Sequence, residues 1–216
     1  MADVEEDALK ELARALADGL RAVSAHRPEL AGQLLWLLAE GRPVSPDRVA
    51  EAIGVSREEA IDILRESPGV ELDDENNVAG CFGLALTPTP HHFQMGDREL
   101  FTWCALDALF LPIVLNRPAR VESSCAVTGK KVLIEVSPDA IQGVEPAGAV
   151  MAIIVPEASE VCCDLRGAFC DKVHFFSSSG AAREWAAKRK GVTILSVDDA
   201  YRLARLLLES LFWQST

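Results

Sequence analysis

From Ala8 to Glu66 the apolar residues recur at three- and four-residue spacing, and from residue 119 onward they fall into short alternating runs. One chain therefore carries two periodicities in succession, the helical one first and the strand one second. Helices followed by strands interleaved with helices is the pattern of an α+β protein with antiparallel pairing. With 216 residues, 49% of them hydrophobic, there is enough apolar surface for a real core.

Within the helical part, "ALKELARALADGL" and "PELAGQLLWLLAEG" predict two helices, the second stopping at Gly41. "VSPDRVAEAIGVSREEAIDILRES" then places caps at Ser45 and Ser56, a proline in the first turn at Pro46 and a break at Gly54. A hairpin turning near Asp73–Asn77 would complete a winged-helix shape over residues 1–85. The Pro-rich stretch at residues 86–100 reads as a connection and the boundary to a second, α+β domain at residues 86–216. There "ARVESS", "KVLIEVS", "AVMAIIV" and "KVHFFSS" predict strands, and "GAAREWAAKRKG" and "SVDDAYRLARLLLESLFW" predict helices.

The net charge of −12 works against nucleic acid, because affinity for it comes from Lys and Arg neutralising phosphates. The second helix of the helix-turn-helix carries Glu58, Glu59, Asp62 and Glu66 against Arg57 and Arg65, the reverse of a DNA reader. The longest apolar runs fall short of the ~20 residues that span a bilayer, so no membrane partner is expected. The acidic start "MADVEEDALK" is unlike an export signal, and six cysteines without one suit a reducing cytoplasm. The thiols are expected to be free.

Chemistry concentrates in two places. In "FTWCALDALF", residues 101–110, Cys104 and Asp107 stand three apart in an apolar run that periodicity predicts to be helical. Shared helical spacing turns them toward the same space, and apolar neighbours raise a carboxyl's pKa, as a general acid requires. A capping aspartate beside an inert buried thiol fits the same residues. Trp103, Leu106, Leu109 and Phe110 would wall such a site or simply pack a core.

In "VCCDLRGAFCDKVHFF", Cys162, Cys163, Cys170 and His174 lack the paired spacing of structural zinc. On a regular strand Cys170 and His174 would share a face. His174 reads first as a core histidine, and Cys125 in "SSCAVTGKK" as a small buried hydrophobe.

"FTWCALDALFLP", "SSCAVTG", "VSPDAIQGVEPAG" and "FCDKVHFF", in this order and at these separations, resemble the organomercurial (alkylmercury) lyases of bacterial mercury resistance from about Leu86 to the C-terminus. The resemblance places the family's catalytic cysteines and aspartate on Cys104, Cys170 and Asp107, and gives Cys125 a structural place. It departs from the family at Asp171, where a second cysteine is usual, and at Cys162–Cys163, which match no family motif. It implies protonolysis of a carbon–mercury bond. Cys104 and Cys170 would hold the mercury, with Asp107 as proton donor and a further candidate ligand. Thiolates suit this soft metal where oxygen and nitrogen ligands do not.

No tightly bound cofactor is implied. Low-molecular-weight thiols would release Hg²⁺, and hand-off to a mercuric reductase would follow. Without the resemblance, a thiol-based carrier or sensor of mercury or copper, and a transcriptional regulator, stay open. The proton donor argues against the carrier and the acidic helix against the regulator.

Overall fold

The computed structural model describes residues 4–24, 28–157 and 164–212. Four helices come first: α1 (Glu6–Ser24), α2 (Pro28–Leu38), α3 (Pro46–Ile53) and α4 (Arg57–Arg65). The predicted caps are in place. Ser45 Oγ accepts from Arg48 N and Ser56 Oγ from Glu59 N, while Gly54 takes the left-handed conformation that ends α3. The next strands are β1 (Val70–Leu72), β2 (Val78–Cys81), β3 (Leu84–Ala85), β4 (His91–Met95) and β5 (Arg98–Thr102). Then follow α5 (Ala105–Val114), β6 (Ala119–Ser124), β7 (Lys131–Val136), β8 (Ile141–Glu145) and β9 (Val150–Ile154). The chain ends with α6 (Leu165–Ala168), β10 (His174–Phe176), α7 (Ser179–Ala186), β11 (Val192–Ser196) and α8 (Val197–Phe212).

Eight strands form one antiparallel sheet in the order β1-β2-β3-β5-β4-β6-β7-β8, and three form a second in the order β10-β9-β11. The α+β class with antiparallel strands expected from the two periodicities is therefore present. Helix α8 packs on α1, α5 and strands of both sheets. Most buried apolar side chains join one core around α5, α8 and the large sheet, and a smaller cluster gathers Cys125, Val150, Ala152, Phe176, Ala182 and Trp185.

Two local expectations fail for physical reasons. The stretch at 86–100 is not mainly a connection: it contains β4 and the start of β5, whose alternately buried residues pair across a turn at Gly96. Pro88 and Pro90 precede these strands rather than interrupting them, so they cost the sheet no donors. The run at 101–110 is also not helical throughout. Phe101 and Thr102 pair with both β3 and β4, and the helix starts only after Cys104. Pairing across the sheet overrides the local helical spacing.

Candidate active site

Cys104 sits where β5 gives way to α5, with extended backbone (φ −143°, ψ 174°), as the cap residue of the helix. Asp107 is the third residue inside, and its Oδ2 accepts from the Cys104 N–H at 2.9 Å. An aspartate at this position of a first helical turn satisfies an amide that would otherwise lack a partner. The two side chains thus meet by capping geometry rather than by the helix-interior spacing expected from sequence.

Cys170 arrives from the other end of the chain. It opens a short 3₁₀ turn, Cys170–Lys172, that precedes β10, so it does not lie on a strand with His174. Val173 N donates to the Cys170 carbonyl at 3.1 Å, and Ala105 N donates to the Val173 carbonyl at 3.2 Å. That second bond ties the Cys170 turn to the first turn of α5. As a result one ligand atom each from Cys104, Asp107 and Cys170 all lie within 4.8 Å of one another, and among the described residues no other such group of three exists.

His174 is not part of the group. Its half-buried ring stands edge-on to Phe176 and Trp185, in the smaller core. Cys162 and Cys163 lie outside the described residues.

The site is dry. Cys104 is fully buried and Cys170 is 3% exposed. Burial pushes the Asp107 carboxyl up to about 6, although hydrogen bonding with both thiols and the Cys104 amide, and the charge of Arg166, hold it down. Burial also raises the Cys104 thiol well above the usual range, aided by Cys170 and the Asp107 charge. Hydrogen bonding to Cys104 pulls the Cys170 thiol down, but burial and the charges of Asp107 and Asp171 leave it raised. The helix N-terminus favours thiolate; here desolvation outweighs it. All three groups hold protons more tightly than they would in water.

Beside Asp107 and Cys170 opens a cavity of about 110 Å³. Its walls are Leu106 and Phe110 of α5, Leu165 and Phe169, Phe82 and Gly83, and Leu20, Leu207 and Leu211 from α1 and α8. Of the four walls anticipated from sequence, Leu106 and Phe110 line it and Leu109 is core. Trp103 is buried behind, its ring 6.0 Å from the Arg166 guanidinium, which in turn bonds Glu71 at 2.6 Å. Sequence reasoning does not find Phe82, Gly83 or Arg166. The only signal for the first two is a Phe-Gly dipeptide between short apolar runs, a hairpin-turn cue. A larger cavity, about 610 Å³, lies between α2 and the β4–β5 turn, but it is lined by Trp36, Arg42, Arg98 and Arg117 and contains no thiol.

Chemically, the three groups complement one another. Two thiols can hold a soft metal, the adjoining carboxyl can move a proton, and the apolar recess can take whatever the metal carries.

Comparison with known proteins agrees. The MerB alkylmercury lyase family model matches residues 84–209. The alkylmercury lyase of Streptomyces lividans is 42% identical over 193 residues, covering 89% of this chain and 88% of the relative. That of Bacillus cereus is 42% identical over 174 residues, covering 81% and 78%, and that of Pseudomonas putida 37% over 209 residues, covering 95% and 94%. The crystal structure of the mercury-bound form of MerB2 shares the fold at a TM-score of 0.76, with 21% identity over 91% of this chain and 98% of that one. The chain belongs to the alkylmercury lyase family.

Proposed function

We propose that Cys104, Cys170 and Asp107 together carry out the family's reaction, cleavage of a carbon–mercury bond in an organomercurial to give a hydrocarbon and Hg²⁺. One observation carries this assignment: the two thiols and the carboxylate lie within 4.8 Å of one another beside an apolar cavity. The first thiol captures R–Hg⁺ from a carrier thiolate, which leaves with the proton of that thiol. Asp107, ionised in part near neutral pH, then takes the proton of the second thiol, and the thiolate formed binds mercury.

Two thiolates raise the electron density on the metal and on its carbon, and Asp107 returns the proton to that carbon. The C–Hg bond breaks, RH leaves, and Hg²⁺ remains on two thiolates. The chemical step consumes no external proton, so the raised thiols and the carboxyl at about 6 form a closed proton circuit. Small thiols would then exchange the metal off the protein, with a mercuric reductase as a fitting recipient.

Residues 1–85 fit a winged-helix-like unit acting as a lid rather than a DNA reader. Glu58, Glu59, Asp62 and Glu66 of that region are exposed, and Leu20, Phe82 and Gly83 reach the cavity. Among the described residues no helix is long and apolar enough to cross a membrane, which is compatible with a cytoplasmic site of action.

The test is incubation with phenylmercury and excess small thiol, with headspace detection of benzene. Benzene in step with mercury turned over is expected. Bound mercury without benzene would point instead to a thiol-based carrier.

A further inference from the structure

Strands β2 and β3 are joined by a two-residue turn, Phe82–Gly83, closing on the paired residues Cys81 and Leu84. Both turn residues take positive φ, 45° and 96°, as in a type I′ hairpin. Glycine adopts such a backbone freely, whereas a bulky residue such as phenylalanine does so only under constraint. Phe82 is held there: its N–H donates to the Gly69 carbonyl at 2.8 Å, and its ring packs so closely on Gly69 that a Cβ at 69 would lie 2.6 Å from it.

This constrained turn presses on the active site. A Cβ at Gly83 would fall 2.4 Å from Asp107 Cγ and 2.5 Å from its Oδ1, closer than atoms can approach. The Gly83 carbonyl also accepts from the Trp103 N–H at 2.8 Å, which fixes the turn to the residue just before Cys104. The Asp107 carboxyl is thus confined on one side by the Cys104 amide and on the other by bare glycine backbone.

We infer that Gly83 is a positioning residue, its missing side chain letting the β2–β3 turn clamp the Asp107 carboxyl against the two thiols. The inference rests on Asp107 being the proton donor. Residues 82 and 83 contribute no reacting atom; they restrict where the carboxyl can point. Proton delivery to carbon depends steeply on such placement.

Gly83→Ala is the direct test, compared with Asp107→Asn and the double variant Gly83→Ala/Asp107→Asn. Gly96→Ala controls for the backbone cost alone, because Gly96 also has positive φ (61°) but open space where its Cβ would go. Expected are an intact protein–mercury–organyl adduct by mass spectrometry in Gly83→Ala, single-turnover hydrocarbon release slowed about 10²-fold, the order of a lost general acid, and a double variant no slower than Asp107→Asn. Gly96→Ala should match the parent.

Parental release in Gly83→Ala beside a slow Asp107→Asn would overturn the clamp alone. Parental release in Asp107→Asn would overturn the acid reading beneath it. Folding gives an independent readout. Asp107→Ala removes the two closest clashing atoms and leaves only the Cβ, 2.9 Å away, so Gly83→Ala should lower the thermal midpoint less in that background than in the parent, and equal losses in both would refute the contact.

Discussion

Two of the settings in which the molecule buries cysteines are quite different. At the head of α5, Cys104 and Cys170 face each other with a carboxyl beside them, and burial together with nearby negative charge keeps both thiols protonated. In the smaller core Cys125 is also only 3% exposed, but it lies shallower, flanked by the exposed Ser124 and Ala126, and its thiol is drawn down to about 7. Burial alone raises Cys125, but the Thr128 hydroxyl and the amides of Ser177, Thr128 and Val127 point at its sulfur and outweigh it. Burial therefore does not decide what a cysteine does. The donors at Cys125 favour its thiolate, but among the described residues it belongs to no group of three possible ligands, whereas Cys104 and Cys170 have each other and Asp107 as partners and are arranged to exchange protons for mercury.

If the two settings differ in this way, substitutions should separate them, and the thiol pair should respond most. Cys104→Ser or Cys170→Ser should each lower hydrocarbon release by about 10³-fold or more, with the double variant hardly worse, since groups sharing one step are not additive. Substantial activity in Cys170→Ser would rule out a paired site.

Next comes the thermodynamic cost of keeping the acid buried. The folded carboxyl of Asp107 titrates at about 6, above the ordinary 3.8. The folded state then binds this proton more tightly than the unfolded one, so the group's contribution is fully favourable below 3.8 and is lost as the pH rises through about 6. Asp107→Asn should thus be the more stable protein at about pH 8, by roughly 3 kcal/mol, with the gain vanishing toward about pH 4. Urea unfolding at both pH values checks it; an equal difference at the two would contradict the burial argument.

Cys125→Ala should instead cost stability, about 1–3 kcal/mol for the donors left without an acceptor, while single-turnover cleavage stays near parental. A collapse of the chemical step would mean that Cys125 is not merely structural. The least change is expected from Cys162→Ser/Cys163→Ser, which should leave protonolysis nearly intact in the same assay, because that vicinal pair matches none of the family's catalytic positions.

What the sequence made readable follows the range of the forces involved. Caps at Ser45 and Ser56 and the strand at Ala119–Ser124 are local signals, and they appear where expected. The β4–β5 hairpin was hidden because prolines near its start read as a linker, and only pairing with distant strands shows otherwise. Cys104 and Asp107 could be linked by spacing alone, although as cap and first turn rather than helix interior. Cys170 could not: a backbone bond from Ala105 to Val173 brings it in, and only the family resemblance anticipated it. Gly83 was invisible for the same reason, since its contact with Asp107 spans separate elements and leaves no periodicity behind.

In the proposed chemistry capture and cleavage reside in different groups, thiols for the first and the carboxyl for the second. Asp107→Asn separates them, because it keeps size and the acceptor for the Cys104 amide while removing the proton. Single-turnover reaction with phenylmercury, following the protein–mercury–phenyl adduct by mass spectrometry and benzene in the headspace, reads both events at once. The adduct should form as in the parent while benzene release falls by about 10²–10⁴-fold. Benzene at the parental rate would contradict this division of labour, and failure to form any adduct would make Asp107 a mercury ligand or a structural residue instead.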